Sequence, residues 1–140
     1  MIYYIYMKNR DNQQNSFILE LPSKDAIKLA NAIYNTYIYE GKNPYLDLSV
    51  KRLCEMYGFS NTEASYQKIK TIFEDLNEPA VVENFKYLGR IIDWKVITFC
   101  EFEHVWRDED AFIEINLNEL FLSAMQYFMK EPYLPFKKLT

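Results

Sequence analysis

The stretch from Leu46 to Leu76, LDLSVKRLCEMYGFSNTEASYQKIKTIFEDL, constrains the fold more than any other part of the chain. It is led by a short strand, Tyr45 to Leu48. Ser49 is placed to cap a helix that turns Val50, Leu53, Cys54 and Tyr57 inward and Lys51 and Arg52 outward. Gly58 suits the left-handed residue that stops such a helix, and the turn carries Gly58, Asn61 and Thr62. A second helix opens with Ser65, Tyr66, Gln67, Lys68 and Lys70. Its apolar residues Ile69, Ile72, Phe73 and Leu76 recur at i, i+3, i+4 and i+7. That stripe leaves Gln67, Lys68, Lys70, Thr71 and Glu74 toward solvent. Asn77 to Pro79 ends the helix, because a residue before proline disfavours helical backbone. Two helices joined by a tight turn and followed by a hairpin predict an α+β fold of the winged-helix kind, in which a helix-turn-helix precedes a β-hairpin wing.

The candidate wing lies between Arg90 and Asn116. RIIDWKVITFCEFEHVW reads as one long strand from Arg90 to Trp106, with Ile92, Trp94, Val96, Cys100 and Phe102 on one parity and Ile97 and Phe99 on the other. Both faces of its middle are therefore expected to be buried. Arg107 to Asp110 reads as a turn, and Ala111 to Asn116 as the returning strand. Ala80 to Phe85 reads as a short strand or extended link.

The flanks complete a single domain over residues 1–140, a size that suits one core. Residues 1–22 are expected to add strands: Ile2 to Lys8 and Phe17 to Leu21, around the polar turn Asn9 to Asn15. After the break at Pro22, Ser23 caps a helix to about Tyr39, with Asp25 at its positive end. Ile27, Ala30, Tyr34 and Tyr37 recur at i, i+3, i+7 and i+10, with Leu29 and Ile33 alongside, an amphipathic pattern that Gly41 ends. Asn116 and Glu119 suggest a capping box for a C-terminal packing helix bearing Leu117, Leu120, Phe121, Ala124, Met125 and Phe128. Pro132 opens a tail, 132–140.

Composition excludes several function classes. Three glycines leave no phosphate-cradling loop, and no Walker, dinucleotide or metalloprotease motif is present. No apolar run approaches the roughly 18–20 residues of a membrane helix. His104 is the single histidine. On one regular strand it stands about 13 Å from Cys100, too far for a catalytic pair. Cys54 and Cys100 read as reduced core thiols, and Asp108-Glu109-Asp110 as a solvated turn rather than a cation site. The chain is thus expected to be a cytosolic non-enzyme without cofactor or metal.

The candidate DNA contacts are Lys51, Arg52, Ser65, Gln67, Lys68, Lys70 and Thr71. In a helix-turn-helix the N-terminal residues of the second helix reach base edges. Ser65 and Gln67 are suited to bases and the basic residues to phosphate. The charge pattern opposes this partly. Residues 91–119 hold two basic against eight acidic residues, a balance of −6 in a chain of net charge −4. Glu101, Glu103, Asp108, Glu109 and Asp110 therefore form a candidate protein-interaction surface, where a DNA-gripping wing would be basic.

The runs SKDAIKLANAIYNTY, LDLSVKRLCEMYGFS, SYQKIKTIFEDL, WKVITFCEFEH and FIEINLNELFLSAMQYF, over roughly residues 23–128, together resemble the N-terminal winged-helix domain of theta-type plasmid replication initiators. Tyr66 would open the recognition helix of that family. The resemblance implies a cytosolic protein from a plasmid, phage or other mobile element, homodimerisation, and duplex DNA contacts made largely to the backbone. Family members usually carry two tandem winged helices, and only the first is represented here. The alternative is a protein-protein interaction module on the same scaffold, its acidic face docking a basic protein or nucleoprotein. An inhibitor of a host nuclease or defence complex is one form.

Overall fold

A computed structural model describes residues 2–8, 14–20 and 23–125, the first two segments as backbone strands. In chain order the elements are β1 (Ile2–Lys8), β2 (Gln14–Glu20), α1 (Lys24–Tyr39), β3 (Tyr45–Ser49), α2 (Val50–Tyr57), α3 (Glu63–Leu76), β4 (Ala80–Tyr87), β5 (Arg90–Ile97), β6 (Cys100–Arg107), β7 (Asp110–Leu117) and α4 (Glu119–Met125). The fold is α+β, with two antiparallel sheets ordered β1-β2-β4-β5 and β3-β7-β6. The expected turn around residues 9–13, the break at Pro22, Phe128 and the tail 132–140 lie outside the described residues.

Local signals set the starts of α1 and α2 and the end of α2 where the sequence places them. The Ser23 hydroxyl accepts from the Ala26 N–H at 3.1 Å, and Ser49 Oγ accepts from the Arg52 N–H at 3.4 Å. Each oxygen satisfies one of the orphan donors of a helix start. Gly58 takes the left-handed conformation, φ 73°, and closes α2. Phe59 N–H then reaches the Cys54 carbonyl at 2.8 Å and Gly58 N–H the Glu55 carbonyl at 3.2 Å, a Schellman ending. Thr62 caps α3 through its hydroxyl, 3.3 Å from the Ser65 N–H, so the helix starts at Glu63, two residues before the expected Ser65. The cap of α4 is Asn118, whose Oδ1 accepts from the Leu120 and Phe121 N–H groups. Asn116, the expected cap, is instead a strand residue of β7, because strand pairing with Tyr45 and Glu101 claims it.

The long strand expected from Arg90 to Trp106 is two strands in two sheets. The chain leaves β5 at Thr98 and Phe99 and re-enters as β6 at Cys100. Phe99 and Cys100 are both buried although adjacent, which a regular strand facing one core does not permit. β5 pairs with β4 through the two-residue turn Leu88-Gly89, both at positive φ (50° and 76°), the signature of a type I′ hairpin. β5 is the edge of its sheet and mostly exposed, with Trp94 67% accessible and Ile91 and Val96 also outside. The expectation that Trp94 and Val96 are core residues is therefore corrected: among the described strands β5 pairs with β4 alone, and both side chains are exposed.

The remaining elements assemble around one buried cluster. Phe73, Phe99 and Phe121 are wholly inside it, with Leu29, Ile33, Leu48 and Leu53. β3 lies antiparallel to β7, which pairs with β6. The inner face of this sheet, with Leu46, Leu48, Ile113 and Ile115, is buried. Phe73 of α3 meets Phe102 of β6 with ring centres 5.0 Å apart, so α3 lies along the inner face of β6.

Candidate nucleic-acid interface

α3 presents its polar face outward because its apolar stripe is consumed by the core. Ile69, Ile72, Phe73 and Leu76 are buried, and Gln67, Lys68, Lys70, Thr71 and Glu74 are exposed, as the periodicity predicts. Ser65 departs from the expectation. It is 5% accessible, and its hydroxyl is 3.2 Å from that of Thr62. It lies four residues before Ile69 and so on the core stripe. Its hydroxyl consolidates the helix start and is not presented to a ligand.

The exposed residues divide between two grooves flanking α3. Gln67 and Lys70 share one with Tyr66, His104 and Trp106. Gln67, Lys68 and Thr71 share the other with Phe59, Asp25 and Asp75. Lys68 Nζ is 5.0 Å from the centre of the Phe59 ring, a cation–π distance that holds the ammonium near the turn. Thr71 Oγ1 donates to the Gln67 carbonyl at 3.1 Å. Lys51, exposed, and Arg52, half-buried, stand on the first turn of α2, a different helix.

The acidic residues form a separate region. Alternation along β3, β7 and β6 puts Asp47, Glu114 and Glu103 on the sheet face opposite the buried one. In register, Asp47 faces Glu114 and Glu114 faces Glu103, a row of three carboxylates across the sheet. Like charges directly opposite destabilise a sheet, and Arg107 offsets them. Its guanidinium donates to Asp47 Oδ1 and lies 3.5 Å from Glu114, while its carbon sits 4.1 Å from the Phe112 ring centre. The hydrogen bond to Asp47, with the nearby carboxylates, raises the Arg107 pKa further. Glu101 and Glu103 line the same open groove of about 510 Å³. Asp108, with φ 56°, and Glu109 form the hairpin tip, and Asp110 pairs with Arg107. The carboxylate row thus lies on the sheet face away from α3, while Glu63, Asp25 and Asp75 stand among the basic residues in the two grooves beside that helix.

Neither cysteine is presented as a nucleophile. Both are free and buried. Burial, helped by Glu101, pushes the Cys100 thiol up to about 12, and burial also raises Cys54. Among the described residues, no group of three or more His, Cys, Asp or Glu is placed to hold a metal ion, and no helix is long and apolar enough to cross a membrane.

The aromatic trio Tyr66, His104 and Trp106 was not among the candidates. Ring centres are 6.0 Å apart for Tyr66–His104, 6.0 Å for Tyr66–Trp106 and 5.7 Å for His104–Trp106. The available signal was the shared parity of Phe102, His104 and Trp106, which aims all three at α3.

The solved structure of domains 2 and 3 of RctB, a selenomethionine derivative, matches this chain with a TM-score of 0.51 at 9% identity. The match covers 94% of this chain and 56% of that one. The likeness is one of fold. A second structure of the same domains matches at a TM-score of 0.47 and 9% identity, with the same coverage of 94% and 56%. The chain spans little more than half the length of these RctB chains. It matches no protein-family model and no curated protein.

Proposed function

We propose that the chain is a non-enzymatic winged-helix module of replication-initiator type, a single cytoplasmic domain of a plasmid, phage or other mobile element that binds duplex DNA and dimerises. The observation that carries this reading is the sheet order β3-β7-β6 around α2 and α3, with Gln67, Lys68 and Lys70 exposed on α3. β3 leads the helix pair, α3 is the DNA-facing helix, and β6–β7 is the wing. The fold likeness to RctB domains 2 and 3 supports it. The placement of Glu101, Glu103 and Glu114 on the sheet face away from α3 supports it too, since these three carboxylates do not oppose a phosphate at that helix. Phosphate contact through Lys68 and Lys70 makes the affinity salt-dependent, and duplex affinity at two salt concentrations tests it.

The edge strand β5 supplies the dimer contact in this reading. Its outer backbone groups face no described strand, and Ile91, Trp94 and Val96 are exposed on it. Antiparallel pairing of two copies about Trp94 would set Asp93 of one opposite Lys95 of the other. Opposite charges facing each other across strands stabilise such a register.

A second reading is a protein-interaction module, such as an inhibitor of a host nuclease or defence complex. The row Asp47–Glu114–Glu103 favours it, because an exposed acidic sheet face complements a basic partner.

A further inference from the structure

α3 and β6 meet at Phe73 and Phe102, and nearer the start of the helix Tyr66 meets His104 and Trp106 beside an open space. The gap is a pocket of about 340 Å³. Its floor is apolar, built from Val50, Ile69 and Ile113. Its rim is the aromatic trio. The three rings meet at interplanar angles of 59° to 64°. They are edge-on to one another, so their faces are not used up in mutual stacking. Trp106 is 57% accessible and His104 is also exposed. Packing of the core does not require a tryptophan and a histidine at these positions. Gln67 and Lys70 open onto the same space.

We propose that this pocket receives one unpaired nucleobase of single-stranded DNA, stacked on Trp106, with Gln67 toward the base edge and Lys70 toward the phosphate. Four observations favour that occupant. The volume lies at the small end of the roughly 300–1,000 Å³ typical of ligand pockets, which suits a single ring system. Aromatic faces accept any base, because every base has a π-face. Lys70 lines the pocket together with the Glu63 carboxylate, and its ammonium is the group there that complements a phosphate. The hairpin tip Asp108-Glu109-Asp110 follows Trp106 after one residue, and its carboxylates oppose the denser phosphate charge of a duplex more than that of one strand. A base within a duplex enters only after it is unstacked and unpaired at a cost that an already single-stranded base does not carry, so the favoured occupant is unpaired. The inference rests on α3 facing DNA, and it adds a single-strand function to that duplex-binding helix.

The chain has two tryptophans, so the Trp94→Phe protein leaves Trp106 as the only indole reporter. Titration with a short oligothymidylate is expected to quench Trp106 fluorescence. Trp106→Ala, checked for an unchanged far-ultraviolet spectrum, is expected to bind the oligonucleotide about tenfold more weakly, within the range for losing one stacking platform. Trp106→Phe, which keeps a ring, recovers most of that loss. Equal quenching by oligouridylate supports base stacking and shows that the sugar is not read. An unresponsive Trp106, or a Trp106→Ala protein that binds oligothymidylate like the wild type, overturns the proposal. Duplex binding that depends on Lys68 and Lys70, found together with an unresponsive Trp106, overturns the pocket and leaves the role of α3 standing. Quenching without any duplex binding supports the pocket and removes the duplex reading.

Discussion

The side-chain amide of Asn77 makes two hydrogen bonds to the backbone of Cys100: Nδ2 donates to the carbonyl at 2.6 Å, and Oδ1 accepts from the N–H at 3.0 Å. Asn77 is the C-cap of α3 and Cys100 the first residue of β6. The pair fixes the end of the helix against the start of the hairpin strand, across the inserted hairpin β4–β5. Asn77→Ala leaves the N–H and carbonyl of a buried residue without these partners and is expected to destabilise the fold by about 1–3 kcal/mol. Urea unfolding checks it. Asn77→Asp keeps the acceptor but sets a carboxylate oxygen against the Cys100 carbonyl, so it should be no more stable than alanine at neutral pH.

Arg107 is the cation set against the carboxylate row. Arg107→Ala leaves Asp47, Glu114 and Glu103 facing one another in register. The melting temperature should fall by a few degrees at low salt, and the deficit should shrink as salt screens the repulsion. Thermal melts at two ionic strengths measure it. A deficit that does not change with salt would place the effect in the packing of Arg107 on Phe112 instead.

Cys100 makes stability sensitive to alkali. Its folded pKa is about 12 against an ordinary 9.0. Above pH 9 the unfolded chain releases this proton and the folded chain keeps it. The contribution is intact below pH 9 and is lost as the pH rises toward 12, by about 1.4 kcal/mol per pH unit at the steepest. Burial also raises Tyr37 and Tyr87, which add to the loss above their ordinary 10.0. Chemical unfolding from pH 8 to 11 reads the slope, and Cys100→Ala should flatten it.

The exposed edge of β5 predicts concentration-dependent dimerisation. Trp94→Lys places two lysines opposite each other in the two-fold register and an uncovered charge at its centre. Sedimentation should then show monomer at concentrations where the wild type is dimeric. Wild-type protein that is monomeric throughout would exclude β5 as the contact.

Much of the helix-turn-helix was legible in the sequence because its boundaries are local chemistry. Ser23, Ser49 and Gly58 act within a turn of where they stand, and the core stripe of α3 follows from its own period. Ser65 shows the same logic missed, since its spacing from Ile69 already put it inside. The division of residues 90–107 into two strands was not legible in the same way. Alternation runs on across Thr98 and Phe99, and the sheet a strand joins is decided by partners distant in sequence: β4 for β5, β7 for β6. Gly89 was the one local hint of the β4–β5 turn. The two sides of the hairpin likewise look uniformly acidic in sequence, whereas pairing sends Asp47, Glu103 and Glu114 to one face and His104 and Trp106 to the other. Charge summed along the chain therefore does not say which carboxylates lie beside α3: Glu63, Asp25 and Asp75 do, and Glu103 and Glu114 do not.

The central claim is that α3 meets DNA through Lys68 and Lys70. Its most direct test is the affinity for duplex DNA across a salt series, for the wild type and for the double variant Lys68→Glu, Lys70→Glu. The expected result is measurable binding at low salt that weakens steeply as salt rises. The variant should be much weaker, with a log–log salt slope lower by about two, one for each phosphate that is no longer neutralised. A wild-type protein that does not bind duplex DNA even at low salt, or a double variant with the wild-type slope, would contradict it.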